Sequence, residues 1–234
     1  MKKWQLPLAT AVDLWAVDLD AEETAVYEPI LVEDELARAS RFHFDRDRQR
    51  YIVGRGRLRL LLGQYLGLLP EQVRLAYSEH GKPYLPPQPA QPVLHFNVTH
   101  SQQFALLAFA WGRRLGVDIE VIRPLTNMAA MVRRFFAPAE VAAWEAISPD
   151  RQVEAFYCGW TRKEAFIKAI GDGLSYPLDQ FVVNLHPDES AQLLSVAGSI
   201  AAAEKWEMVA IRPFSHTVAT LIVAKESAPF GFSA

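Results

Sequence analysis

The sequence contains a single cysteine, Cys158. One thiol excludes an intrachain disulfide and any cysteine-based metal cluster, and it suits a reducing compartment. Basic charge is not in excess either: 24 Lys and Arg against 27 Asp and Glu leave a formal net charge of −3. A general nucleic-acid binder carries a net basic footprint, so no nucleic-acid partner is expected, although local basic patches are compatible with this balance. Long apolar runs are missing too. Nowhere do about 20 apolar residues follow one another, as a membrane span requires. After Lys2 and Lys3 the first apolar stretch is broken by Asp13, Asp18 and Asp20, so it does not form a signal-peptide core. The expectation is a soluble, cytoplasmic protein without a membrane partner.

Half of the residues are apolar and 11% are aromatic, enough to bury a sizeable core, which excludes global disorder. At 234 residues the chain suits one large domain or two small ones. Hydrophobic patterning predicts a strand over Val12–Leu19, a short charged helix over Val32–Ala39 and a long one over Asp45–Leu66. Arginines 46, 48, 50, 55, 57 and 59 make the long helix strongly basic. Strands are expected over Val73–Tyr77, Leu94–Val98, Phe104–Trp111 and Leu115–Val121, with a proline-rich loop at Pro86–Pro92. Helices follow over Met128–Phe135, Pro138–Ala146 and Gln152–Ile170, the last ended by Gly171, Gly173 and Pro177. The tail reads as strands again, over Phe181–Leu185, Trp206–Ile211 and Thr217–Ala224. This order predicts two α+β halves meeting near residue 112, although no sequence repeat relates them.

Asp118 and Glu120, in Gly116-Val117-Asp118-Ile119-Glu120, lie two apart on an expected strand. Alternation puts both on one face, where they can converge on a hard divalent cation; the plainer reading is a solvated pair. Glu164 and Lys168, in Trp160-Thr161-Arg162-Lys163-Glu164-Ala165-Phe166-Ile167-Lys168, stand one helical turn apart, either as functional groups or as a surface ion pair. Phe96-Asn97-Val98-Thr99-His100-Ser101 ends an apolar strand with a polar run that suits a phosphate, or with a structural histidine. Gly81-Lys82-Pro83 reads as a turn carrying a cation, and Arg50 as a polyanion contact or a solvated charge. Cys158 reads as a core thiol.

Taken in order, these segments resemble the 4′-phosphopantetheinyl transferases of the larger, single-chain, surfactin-synthetase-activating class. The resemblance runs from Arg38 to Leu178 and includes Arg134-Phe135-Phe136 and Gly173-Leu174-Ser175. It implies an α/β (α+β) fold in a pseudo-twofold arrangement of two similar α/β halves, 1–112 and 113–234, with the active site in the cleft between them. The implied reaction moves 4′-phosphopantetheine from coenzyme A to a serine of an apo acyl or peptidyl carrier protein, leaving adenosine 3′,5′-bisphosphate. By the same resemblance Asp118, Glu120 and Glu164 hold Mg²⁺ against the diphosphate of coenzyme A. Glu164, or a water on the metal, takes the serine proton, and Lys168 serves the departing phosphate. Arg50, Lys82, Thr99, His100 and Arg38 fall at the nucleotide end. Thr99 replaces a serine common in the family. Glu35 stands where some relatives carry a lysine. Two halves in one chain imply a monomer. The rival readings are a Mg²⁺-dependent nucleotide phosphohydrolase and a non-catalytic module that binds coenzyme A or carrier proteins.

Overall fold

The structure, a computed structural model, describes residues 1–4, 6, 11–79, 81–86, 92–171 and 176–226. The Gly173-Leu174-Ser175 segment therefore lies outside the described residues. In the first half, β1 (Lys2–Trp4), β2 (Asp13–Asp18), α1 (Glu33–Ala39) and α2 (Asp45–Leu66) precede β3 (Ala76–Tyr77), β4 (Pro83–Tyr84), β5 (Leu94–Ser101) and β6 (Phe104–Trp111). In the second half, β7 (Leu115–Val121) leads to α3 (Met128–Phe135), α4 (Pro138–Glu145) and α5 (Gln152–Ile170). There follow β8 (Phe181–Val183), β9 (Leu193–Val196), α6 (Ile200–Ala203), β10 (Trp206–Ile211) and β11 (Thr217–Ala224).

The main sheets run β1-β2-β6-β5 and β10-β11-β7, antiparallel throughout. Each half thus repeats one scheme: a strand, a long helix, then two strands, with the last strand lying between the other two. α2 covers one sheet with Ile52, Val53, Leu58, Leu61 and Leu62 against Phe96, Leu107 and Phe109. α5 covers the other with Phe166 and Ile167 against Val218 and Ile222. Between the sheets lies a third core, where Leu14, Ala16, Leu106 and Ala108 meet Val117, Ile119, Ala219 and Leu221. Alternation explains this layering. In β6, Ala105, Leu107 and Phe109 face the first helix, while Leu106, Ala108 and Ala110 face the second sheet.

Several boundaries depart from the expected ones. The strand expected over Val73–Tyr77 shrinks to Ala76–Tyr77, because a one-turn helix at Pro70–Gln72 carries the chain round and Val73 is its cap. β5 continues past Val98 through the polar run to Ser101, paired residue by residue with β6 down to Phe104. β8 stops at Val183, beside a register shift against β9. The short elements β1, β4, β9 and α6 have no periodic signal long enough to read. α5 ends where expected: Gly171 takes the left-handed conformation (φ 91°) and its N–H bonds the carbonyl of Ile167.

Candidate active site

β5 and β7 run side by side without sharing a backbone ladder. Side chains join them instead. Asn97, Thr99 and Ser101 alternate along β5 and so face the same way. Asn97 Oδ1 accepts from the Val117 N–H (2.8 Å) and Thr99 Oγ1 donates to Asp118 Oδ1 (2.9 Å). Ser101 Oγ donates to Glu120 Oε2 (2.7 Å) and accepts from the Val121 N–H (3.2 Å).

α5 lies directly on β7. Gly116 is the contact point: a Cβ there would stand 2.0 Å from the Ala165 carbonyl oxygen and 2.5 Å from the Ala169 nitrogen. This close approach brings Glu164 and Lys168 over Asp118 and Glu120. Lys168 Nζ reaches Asp118 Oδ1 (2.5 Å) and donates to Thr99 Oγ1 (3.1 Å). Lys82, from the first half, donates its ammonium to the Lys168 carbonyl. The site is thus assembled from β5, β7, α5 and the Lys82 turn.

Its electrostatics are those of crowded carboxylates. Burial, and then the charges of Asp118 and Glu120, push Glu164 up to about 6 despite Lys168. Burial also raises Glu120, against the opposing bond from Ser101. Lys82 is pushed down to about 8 by burial and by Arg114 and Lys168. His95, on the same face of β5, is pushed down to about 4 by burial and by Lys82 and Arg114, so its imidazole is neutral at pH 7. Asp118 is 4% exposed, and its Oδ2 is buried without a hydrogen-bond partner. A buried carboxylate oxygen left unpaired, beside two glutamates that burial and neighbouring negative charge raise, fits a hard divalent cation. Among the described residues no three His, Cys, Asp or Glu groups are drawn into a ready-made cage, and Lys168 shares the space at Asp118.

Residues 20–111 match the family described as 4′-phosphopantetheinyl transferase, N-terminal, and residues 114–220 match the 4′-phosphopantetheinyl transferase superfamily. The chain is 37% identical over 219 residues to the 4′-phosphopantetheinyl transferase HetI of a Nostoc species, covering 93% of this chain and 89% of HetI. The chain belongs to the 4′-phosphopantetheinyl transferase family. The transferase Sfp of Bacillus subtilis is 34% identical over 170 residues, 73% of each chain. A holo-[acyl-carrier-protein] synthase of Thermotoga maritima aligns with a TM-score of 0.38 at 18% identity, over 48% of this chain and 63% of that one.

In this transferase the Trp160–Lys168 segment divides by helix face. Glu164 and Lys168 point to the site, whereas Arg162 and Lys163 point into the second half. Arg162 donates to the carbonyls of Asn184, His186 and Glu189. Lys163 is fully buried, paired with Glu140 (2.7 Å) and bonded to the carbonyls of Leu178 and Phe181. Thr99, expected at the nucleotide end, is buried, and its hydroxyl bonds Asp118 and Lys168. His100 points to the opposite face of β5 and is exposed.

Arg50 and Arg38 lie apart from the carboxylates. Arg50 makes a two-pronged pair with Asp20 (2.7 and 2.5 Å), while the Arg38 guanidinium sits over the Tyr51 ring, 5.6 Å from its centre. Arg38 also lines a cavity of about 620 Å³ with Arg41, Phe42, Tyr51 and Tyr77. Glu35, the departure noted above, is buried and bonded to Arg55 and Arg59. It joins α1 to α2 and lines the same cavity as Arg38. Most other arginines of α2 are also answered internally, Arg57 by Glu22 and Arg48 by Glu28. The contacts of Ser101 and Asn97 are not legible in the sequence by themselves; the signal for them is the Asn-x-Thr-x-Ser alternation along β5, which runs to Ser101.

Proposed function

We propose that the site works with coenzyme A and a carrier protein, transferring 4′-phosphopantetheine to the carrier serine, with Mg²⁺ held by Asp118, Glu120 and Glu164. The observation that carries this reading is the meeting of Lys168 with Asp118 and Thr99 beside Glu120 and Glu164, two strands and a helix converging on one acidic spot. When bound, Mg²⁺ supplies charge neutralisation for the diphosphate.

The chain's own residues supply the rest. Glu164, held near pH 6 by burial, is a carboxylate at pH 7 with enough basicity to take the serine proton. The serine oxygen then bonds the phosphorus nearer the pantetheine, and the bond from that phosphorus to the bisphosphate oxygen breaks. In this reading Lys168 neutralises the departing phosphate. Lys82, His100, Arg50 and Arg38 hold the nucleotide end, and Thr99 orients Asp118 and Lys168. We assign the two halves to residues 1–112 and 113–234, the enzyme to the cytoplasm, and its working form to a monomer.

The test is mass spectrometry of several apo carrier proteins, each incubated with the enzyme, coenzyme A and Mg²⁺. Gain of the phosphopantetheine mass on the carrier serine supports the reading and identifies the partner. Release of bisphosphate from coenzyme A without any carrier identifies a hydrolase instead. Coenzyme A binding with neither product identifies a non-catalytic module.

A further inference from the structure

We propose that Ser101 is a positioning residue that orients Glu120 and, together with Asn97 and Thr99, sets the carboxylates of one half against the strand of the other. The inference rests on the transferase reading, in which Glu120 is a ligand of the metal.

The two main sheets end on facing strands, β5 and β7, that share no backbone ladder. Their spacing is set by three side chains from alternate positions of β5. Asn97 takes the Val117 N–H, next to Asp118; Thr99 bonds Asp118 itself; Ser101 bonds Glu120. The two hydroxyls therefore match the two carboxylates one to one. Between the two hydroxyl contacts both strands advance two residues, so that matching follows from the pleat.

Ser101, like Thr99, has both roles of its hydroxyl in use. Its single proton goes to Glu120 Oε2 at 2.7 Å, and its oxygen also accepts the Val121 N–H at 3.2 Å. A hydroxyl whose donor and acceptor roles are both used has no freedom to rotate away, so it fixes one oxygen of the glutamate and leaves the other to a ligand. Groups that bond to a metal's ligands usually change metal affinity by about 10- to 100-fold when removed.

The chain of residues 1–234 serves for the test, with Mn²⁺ as the probe metal. Calorimetric titration of Mn²⁺ is compared in wild type, Ser101→Ala and Ser101→Thr, alongside Tm and the Mg²⁺ dependence of carrier modification. Ser101→Ala should weaken Mn²⁺ binding by about 10- to 100-fold. It should raise the Mg²⁺ needed for half-maximal transfer by a similar factor, with KM for coenzyme A changed less than about twofold. Ser101→Thr, which keeps the hydroxyl, should restore both. Should Ser101→Ala not fold, Ser101→Cys keeps the volume, gives up most of the donor strength and should show the same loss.

A positioning role acting through Glu120 also requires that the loss on removing Ser101 vanish in a Glu120→Gln background. Unchanged Mn²⁺ affinity overturns the proposal. So do losses that add across the double variant, and so does a lowered Tm without a metal effect. Wild type that binds Mn²⁺ but modifies no carrier fails the transferase reading while the titrations still judge Ser101. Wild type that binds no Mn²⁺ overturns the assignment of Glu120 and the proposal with it.

Discussion

Lys168 gives its ammonium to Asp118 and Thr99, while its own carbonyl takes the ammonium of Lys82. A side chain placed by two neighbours, one from each half, is preorganised for charge that develops in the transition state, where removing one such group typically costs about 10²- to 10³-fold in kcat. Lys168→Met should lose rate in that range in a carrier-modification assay. Asp118→Asn and Glu120→Gln should lose comparable rate but recover in part with excess Mg²⁺, whereas Lys168→Met should not; EDTA should silence the wild type reversibly. His100 is exposed on the other face of β5 and is tested by its substrate. If it meets the 3′-phosphate, His100→Ala loses a charge-assisted hydrogen bond of about 1.5–3 kcal/mol, or roughly 10- to 150-fold in kcat/KM, with coenzyme A. With dephospho-coenzyme A the variant and wild type should become nearly equal, a cycle from which general destabilisation cancels. Equal losses on both substrates would assign His100 to the fold.

Two junctions between elements can be tested, one at the site and one within the first half. The first is α5 on β7, where Gly116 lets helix backbone approach strand backbone. In Gly116→Ala the new methyl meets the Ala165 carbonyl and the Ala169 nitrogen, and backbone atoms cannot swing aside as a side chain does. Overpacking of this kind costs about 1–3 kcal/mol, sometimes more, and here it also lifts Glu164 and Lys168 from Asp118. The variant should show a lowered Tm together with a loss of kcat that excess Mg²⁺ does not repair.

The second junction is α1 on α2 through Glu35. Burial alone would raise this carboxyl, but the bonds to Arg59 and Arg55 hold it below its ordinary 4.5. A folded pKa lower than the unfolded one means that the pair stabilises the fold above about pH 4.5, and that this contribution is lost as pH falls through the folded value. Glu35→Gln leaves Arg59 buried without its carboxylate and should cost about 3–5 kcal/mol at pH 7. Chemical denaturation at several pH values should show a shallower acid limb in Glu35→Gln than in wild type; parallel limbs would show that Glu35 contributes nothing to acid sensitivity.

Over the molecule as a whole, the layers run helix, sheet, sheet, helix, and the core between the sheets is built from both halves. The site draws its residues from both halves of one chain, so sedimentation should report a monomer that is fully active. The partner face is expected on the second half, around Arg123, Met128, Met131, Arg133 and Arg134. There Arg133 is 63% exposed and bridges to Glu145 (2.9 Å). Charge reversal at Arg123, Arg133 and Arg134 should raise KM for an acidic carrier and flatten its salt dependence, with KM for coenzyme A nearly unchanged. Equal losses toward both substrates would mean that the fold had been disturbed.

The bounds of α2, α3, α5, β6, β7, β10 and β11 could be read directly, because each is long enough to show its period or is closed by a glycine or a turn. The pairing of Asp118 with Glu120, and of Glu164 with Lys168, follows in the same way from the strand and helix repeats. Those repeats relate residues within one element only. That Gly116 lets α5 touch β7, that Thr99 turns to Asp118, that Glu35 takes two arginines of α2, and that Ser101 meets Glu120 are contacts between elements separated by 19 to 53 positions. Arg162 and Lys163 make the same point. They share a charged segment with Glu164 and Lys168, yet the helix turns them into the second half, where carbonyls and Glu140 satisfy them. A run of charges does not say which face of its helix will be buried; the neighbouring sheet imposes that, because only packing removes water from one side.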